Sequence, residues 1–209
     1  MIQPRIFTIR ISQVDNIWWT GIVAYNPSAL SCTLTVTPFR ADGKGLSPQT
    51  ISLQSYEKYI GLTESLNFPT ETAWFRIQSS RPVTGFELFA THDGNQLGGY
   101  LSVGINGRQG IFAKKESLSD GWTGIAFVNT VNTGASVTLT AYDDSGNAVG
   151  SKTMKLLAYE KVVNYAEDLF TQDITKATYI VYSSDQEVVG FQLNGSSDGT
   201  MLDGLPGLK

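Results

Sequence analysis

A single cysteine and a single histidine occur in 209 residues. An intrachain disulfide is therefore excluded, and a zinc site or a catalytic imidazole has one candidate residue at most. Charge is also sparse: Asp, Glu, Lys and Arg make up 16% of the chain, with 15 basic residues against 19 acidic ones. The net charge of -4 offers no cationic footprint for a nucleic-acid backbone or an anionic membrane surface. Long hydrophobic runs are missing. The longest, such as residues 22–25, fall far short of the roughly 18 residues that cross a bilayer, so no membrane insertion is expected. Residues 1–10 lack the basic start and apolar stretch of a secretory signal. Met1 stands almost against a strand-like segment, and the chain reads as a piece excised from a longer exported protein.

What is present is apolar and heavily punctuated. Apolar residues make up 41%, and 21 glycines with 7 prolines interrupt them, which describes a turn-rich globular protein of one large or two small domains. An internal repeat decides between these. Trp19-Thr20-Gly21-Ile22 recurs 103 residues later as Trp122-Thr123-Gly124-Ile125. The same offset pairs Asn26 with Asn129, Gly43 with Gly146, and Tyr56-Glu57-Lys58 with Tyr159-Glu160-Lys161. Further on the offset becomes 105, pairing Gly85-Phe86 with Gly190-Phe191, Leu88 with Leu193, and Asp93-Gly94 with Asp198-Gly199. Ile6-Phe7 is matched to Ile111-Phe112. The Gly-rich seam at 104–110 is short enough to predict a semi-rigid pair of domains, 1–105 and 106–209.

Each copy is written in strands. Cys32, Leu34 and Val36 alternate with Thr33, Thr35 and Thr37, and Val137, Leu139 and Ala141 alternate with Ser136, Thr138 and Thr140. This period of two gives one core face and one wet face. Further strands are predicted at 5–11, 17–25, 49–53, 74–78, 83–89 and 97–101, separated by Asp42-Gly43, Arg81-Pro82 and Asp93-Gly94 turns. Only 62–68 and 165–170 resemble a helical turn, with Glu64 and Glu167 placed to favour its start. The expected fold is all-β: two tandem, homologous β-sandwiches, immunoglobulin-like or jelly-roll-like. Residues common to both copies are read as framework, so Trp19 and Trp122 are placed in the core, each indole laid over Gly21 or Gly124. Trp18, Trp74 and Tyr100 are the candidates for a copy-specific surface that stacks on a ligand.

The succession Trp-Thr-Gly-Ile, Asn129, Ala141-Tyr142-Asp143, Gly146, Ser183-Ser184-Asp185 and Val189-Gly190-Phe191-Gln192-Leu193 resembles the β-sandwich repeats of secreted and cell-surface bacterial proteins. The resemblance covers nearly the whole chain. It implies the fold and an extracellular or cell-envelope location, and it supplies no catalytic residue. The first copy departs from it at Pro38-Phe39-Arg40-Ala41, where the second has Ala141-Tyr142-Asp143-Asp144.

Candidate chemistry is thin. His92 lies in a Thr-His-Asp-Gly turn whose counterpart carries Ser197, and reads as an exposed turn residue. Cys32 reads as an inert core thiol. Glu57 and Glu64, with Glu160 and Glu167, are repeated carboxylates of the kind a glycosidase pairs. Beside Lys58 and Lys161, Glu57 and Glu160 read more simply as charge guarding a strand edge, and no carboxylate is expected in a hydrophobic setting that would raise its pKa. Asp143, Asp144 and Asn147 offer hard oxygens for Ca²⁺ in one loop, although the same residues make ordinary hairpin turns. No other cofactor is expected. Residues 1–104 balance 7 basic and 7 acidic side chains, while 105–209 hold 8 and 12, so the halves present different surfaces.

Three functions compete. The first is a non-enzymatic structural, adhesive or spacer module that meets a protein or polysaccharide surface. The second is a carbohydrate-binding module using Trp18, Trp74 or Tyr100. The third is a carboxylate-based hydrolase, which requires a deep cleft with a perturbed Glu or Asp where the copies join.

Overall fold

The alternation at 32–37 becomes a strand whose apolar side chains are sealed and whose threonines face outward. Leu34 and Val36 are fully buried and Cys32 nearly so, and each such aliphatic residue contributes about 1.5–3 kcal/mol. A computed structural model describes residues 6–10, 18–101, 106–114 and 121–207. It is all-β, and it divides into two compact units, Met1–Gly104 and Ile105–Lys209.

In the first unit, β1 (Ile6–Arg10), β2 (Trp18–Tyr25), β3 (Cys32–Phe39), β4 (Gln49–Leu53), β5 (Lys58–Leu62), β6 (Trp74–Ser79), β7 (Thr84–Thr91) and β8 (Leu97–Leu101) form two antiparallel sheets. Their orders are β1-β6-β3-β4 and β5-β2-β7-β8. In the immunoglobulin arrangement the first two strands are neighbours; here β1 lies beside β6, and β2 lies between β5 and β7. Ile22, Ala24, Leu34, Val36, Leu53, Phe75 and Ile77 from both sheets share one core.

The second unit contains β9 (Asn106–Ala113), β10 (Gly121–Asn129), β11 (Ala135–Tyr142), β12 (Ala148–Leu156), β13 (Lys161–Tyr165), β14 (Tyr179–Ser196) and β15 (Leu202–Pro206). Its core gathers Phe112, Ile125, Phe127, Val137, Leu139, Ile180 and Tyr182. All seven strands are joined through β14, which runs for 18 residues. The first part of β14 pairs β11 through Tyr179–Ser184, and the second pairs β10 through Val188–Ser196. In the first unit the same path is split into β6 and β7. Pro82 falls in the gap, and proline has no amide hydrogen to give a ladder; Glu187 stands at the corresponding place in β14.

Residues related by the two sequence offsets occupy equivalent ladder positions. Leu34 opposite Ser79 recurs as Val137 opposite Ser184. Ala24 opposite Gly85 recurs as Phe127 opposite Gly190. One match needs correction. Ile9 lies opposite Phe75 where Phe112 lies opposite Ile180, so β1 and β9 correspond at an offset two residues shorter than the match of Ile6-Phe7 to Ile111-Phe112. A slip of two keeps every side chain on its own face, which is why composition alone did not expose it. The 104–110 seam is also corrected: residues from Asn106 onward belong to β9 and pair with β14. β5 and β13 were absent from the predicted strands because each is short and half exposed. The two expected helical turns are 3-10 turns, Thr63–Leu66 and Glu167–Leu169, each with its glutamate in the first turn.

Candidate functional site

The residues with the most chemistry are occupied in holding turns. Asp143 opens the hairpin after β11, and its Oδ1 accepts the amides of Ser145 at 3.0 Å and Asn147 at 2.8 Å, while its Oδ2 accepts the Asn147 side-chain amide at 3.1 Å. These bonds, led by the Asn147 amide, hold its carboxyl below the usual range. Gly146 completes the turn at φ 79°, a backbone region where a Cβ is strained. With these three bonds Asp143 acts as the clasp of the hairpin. Asp144 and Asn147 are exposed. Among the described residues, no cluster of three or more His, Cys, Asp or Glu side chains converges on a point.

The repeated glutamates behave alike. A side-chain oxygen of Glu57 accepts the Gln54 amide, and one of Glu160 accepts the Leu157 amide. Both therefore fasten the turn before β5 or β13 rather than guarding the strand edge. The adjoining tyrosines, Tyr56 and Tyr159, both adopt φ 59°. Fully buried Asn26 and Asn129 tie these turns down. Asn26 Nδ2 donates to the carbonyls of Leu30 and Gln54 at 2.8 Å, and Asn129 Nδ2 donates to those of Thr133 and Leu157 at 2.7 Å. Glu64 is exposed, and Glu167 pairs with the buried ammonium of Lys114 at 3.0 Å. His92 is exposed in its turn, where Asp93 accepts the Asn95 amide. Burial raises the pKa of the Cys32 thiol, opposed by Ser79 and Arg81.

Sequence reasoning missed two buried polar positions that match each other. Glu87, only 1% exposed, lies opposite Ile22, and Gln192 holds the equivalent place opposite Ile125. Gln192 Nε2 donates to the Ala113 carbonyl at 2.7 Å. The signal was available, since both residues fall on the inward parity of their strands. Lys114, which follows β9 directly, carried no such signal.

The aromatic candidates are rearranged. Trp74 is fully buried rather than exposed. It lies opposite Phe39 in the ladder, and the two rings stack 4.2 Å apart at 8°. Tyr142 and Tyr179 form the same stack in the second unit, at 5.2 Å and 12°. Trp18 is half-buried, on the strand face that also carries Thr20, Ile22 and Ala24. The side chain of Tyr100 lies outside the described residues. Trp18, Trp74 and Tyr100 therefore do not form an exposed row.

The twinned tryptophans correct the expectation in the other direction. Trp19 and Trp122 are half-buried rather than sealed in the core. Both belong to the face of their strand that points away from Ile22 or Ile125, and a Cβ added to Gly21 or Gly124 would meet the indole at 3.4 Å or 3.3 Å. The expected packing of indole over glycine is present, but on the outside of the sheet. In the second unit the indole extends across Gly195, directly opposite on β14, where any Cβ would collide with it. In the first unit Ala90 occupies that place. Tyr165, 55% exposed on edge strand β13, stands against Trp122 with ring centroids 5.8 Å apart at 80°; Leu62 takes its place in the first unit.

No protein-family model matches the chain, and no curated protein matches it. Among solved structures, the chain is similar to the crystal structure of Thermotoga maritima 1070, with 11% identity over 48% of this chain and 94% of that one and a TM-score of 0.40. The PBSX exported protein XepA shares 12% identity over 89% of this chain and 81% of its own, with a TM-score of 0.27. Bacteroides uniformis β-glucuronidase 2 shares 14% identity, with a TM-score of 0.21, and the match takes in 90% of this chain but only 24% of the enzyme. Among the described residues no helix is long and apolar enough to cross a membrane.

Proposed function

We propose that the chain is a non-enzymatic structural or adhesive module, a spacer or docking unit of a bacterial secreted or cell-surface protein. The observation that carries this reading is the fate of the turn carboxylates. Asp143, Asp93, Asp198, Glu57 and Glu160 each accept amide hydrogens from their own turn, an arrangement that serves shape rather than proton transfer. The extracytoplasmic placement is supported by the sequence resemblance to secreted and cell-surface repeats. The partner in this reading is a protein or polysaccharide surface, and no cofactor is required.

Incubation of the purified chain with soluble polysaccharides and chromogenic glycosides, followed by a reducing-sugar assay, tests the absence of catalysis. No release is expected. Turnover that disappears in Glu57→Gln or Glu160→Gln would overturn the proposal. Fractionation of the source cells, probed with an antibody to the chain, tests the placement, and a purely cytoplasmic signal would count against it.

A further inference from the structure

From the corner made by Trp122 and Tyr165 we infer that the second unit carries a stacking site for a neutral pyranose of a polysaccharide chain. This deepens the proposal above and rests on its reading of the chain as a non-catalytic module. The floor of the site is an indole whose inner face is spent on backbone. Gly124 beside it on β10 and Gly195 opposite it on β14 both lack the side chain that would lift the ring. Because Trp122 is only half-buried, the surface that remains to it is directed away from the sheet. The wall is Tyr165, more than half exposed and set at 80° to the floor with its centroid 5.8 Å away. Two rings in contact at right angles form a corner that suits a single six-membered sugar, with its C–H face on the indole and its edge against the phenol. They do not suit a helix or a strand, which need a longer track.

The chemistry around the corner narrows the ligand further. Gly124, Leu193, Gly195 and Leu202 share its ladder positions, and none of these four is charged. An amphipathic ring with one apolar face fits both surfaces, as tryptophan and tyrosine also present an apolar body with a polar tip. The first unit keeps the Trp19 floor but has Ala90 in place of the glycine and Leu62 in place of the tyrosine. The site therefore belongs to the second unit alone.

Native affinity electrophoresis of the full chain in gels containing hydroxyethylcellulose, xylan or galactomannan tests the inference, with a polygalacturonate gel as the anionic comparison. Retardation is expected in at least one neutral gel and not in the polyanion. Tyr165→Leu, which installs the first unit's residue at an exposed position, is expected to weaken retention about five- to tenfold, and Trp122→Ala is expected to abolish it. Leu62→Ala, a matched surface change in the first unit, is expected to leave it unchanged. Near-UV circular dichroism identifies any variant that has lost its fold, and Tyr165→Leu decides the outcome if Trp122→Ala has. Unretarded migration in every neutral gel, or equal retention by Tyr165→Leu, overturns the inference while leaving the non-catalytic reading intact. Shortening of the polymer during the run would instead overturn that reading.

Discussion

The indole of Trp122 lies across the backbone of Gly195, the residue directly opposite it on the neighbouring strand. Gly195→Ala puts a methyl group where the ring now rests. The expected cost is about 1–3 kcal/mol, the usual range for forcing extra volume into a packed site. Urea denaturation measures the loss. Tryptophan emission should shift to the red as the ring lifts towards water.

Asn129 is fully buried and supplies two donors to two carbonyls. Asn129→Ala leaves the carbonyls of Thr133 and Leu157 without those bonds, and a loss of about 2–4 kcal/mol is expected. Asn129→Asp keeps the shape but turns acceptors towards acceptors, so at neutral pH it should be at least as damaging. Chemical denaturation of the two variants side by side checks the order.

Tyr182 is the converse case. Its ring fills space left by Gly110, Gly190 and Gly207, while its buried hydroxyl has no hydrogen-bond partner among the described residues. Burial pushes its pKa up to about 12. Tyr182→Phe removes an unsatisfied polar atom and keeps the ring, so stability should be unchanged or higher, by up to about 1 kcal/mol. Thermal melting measures it, and spectrophotometric titration should show one tyrosine fewer ionising at the alkaline end.

Asp198 is held at about 2 by the Ser196 hydroxyl, with the Thr200 amide and hydroxyl adding to the effect. Since an unfolded aspartate titrates near 3.9, the folded value is the lower one. The stabilisation it gives is complete above about pH 4 and is lost as pH falls towards 2. Thermal midpoints between pH 5 and 2 should fall less steeply for Asp198→Asn than for the parent chain. Asp93, Asp143 and Asp173, also held low by hydrogen bonds from their own turns, set the slope that remains.

The strands were legible where side chains alternate or where turn signals bracket a short run. Residues 49–53 and 97–101 were expected as strands and begin and end there as β4 and β8. β5 and β13 were not, because neither has a buried residue and so neither carries a complete pattern. The aromatic candidates were misplaced for a different reason. Agreement between the copies was taken as a sign of burial, although strand parity already set Trp19 and Trp122 on the face opposite Ile22 and Ile125. Trp74 is also on the outward parity of its strand, but stacking on Phe39 accompanies its complete burial. Ring pairing of this kind depends on which residues face each other across a ladder, and a single sequence does not display that. Turn clasps such as Asp143 are visible as residue types, yet which amides they accept, here those of Ser145 and Asn147, depends on the path of the backbone.

β14 continues from one ladder into the next, with a register shift between Ser183 and Val188, where the first unit has two separate strands. A pull transmitted along β14 loads its ladders with β11, β9, β10 and β15 together. In the first unit Pro82 separates the two lengths of chain, and the sheets can yield one after the other. If the molecule serves as a spacer under tension, the first unit is its compliant element and the second its stiff one.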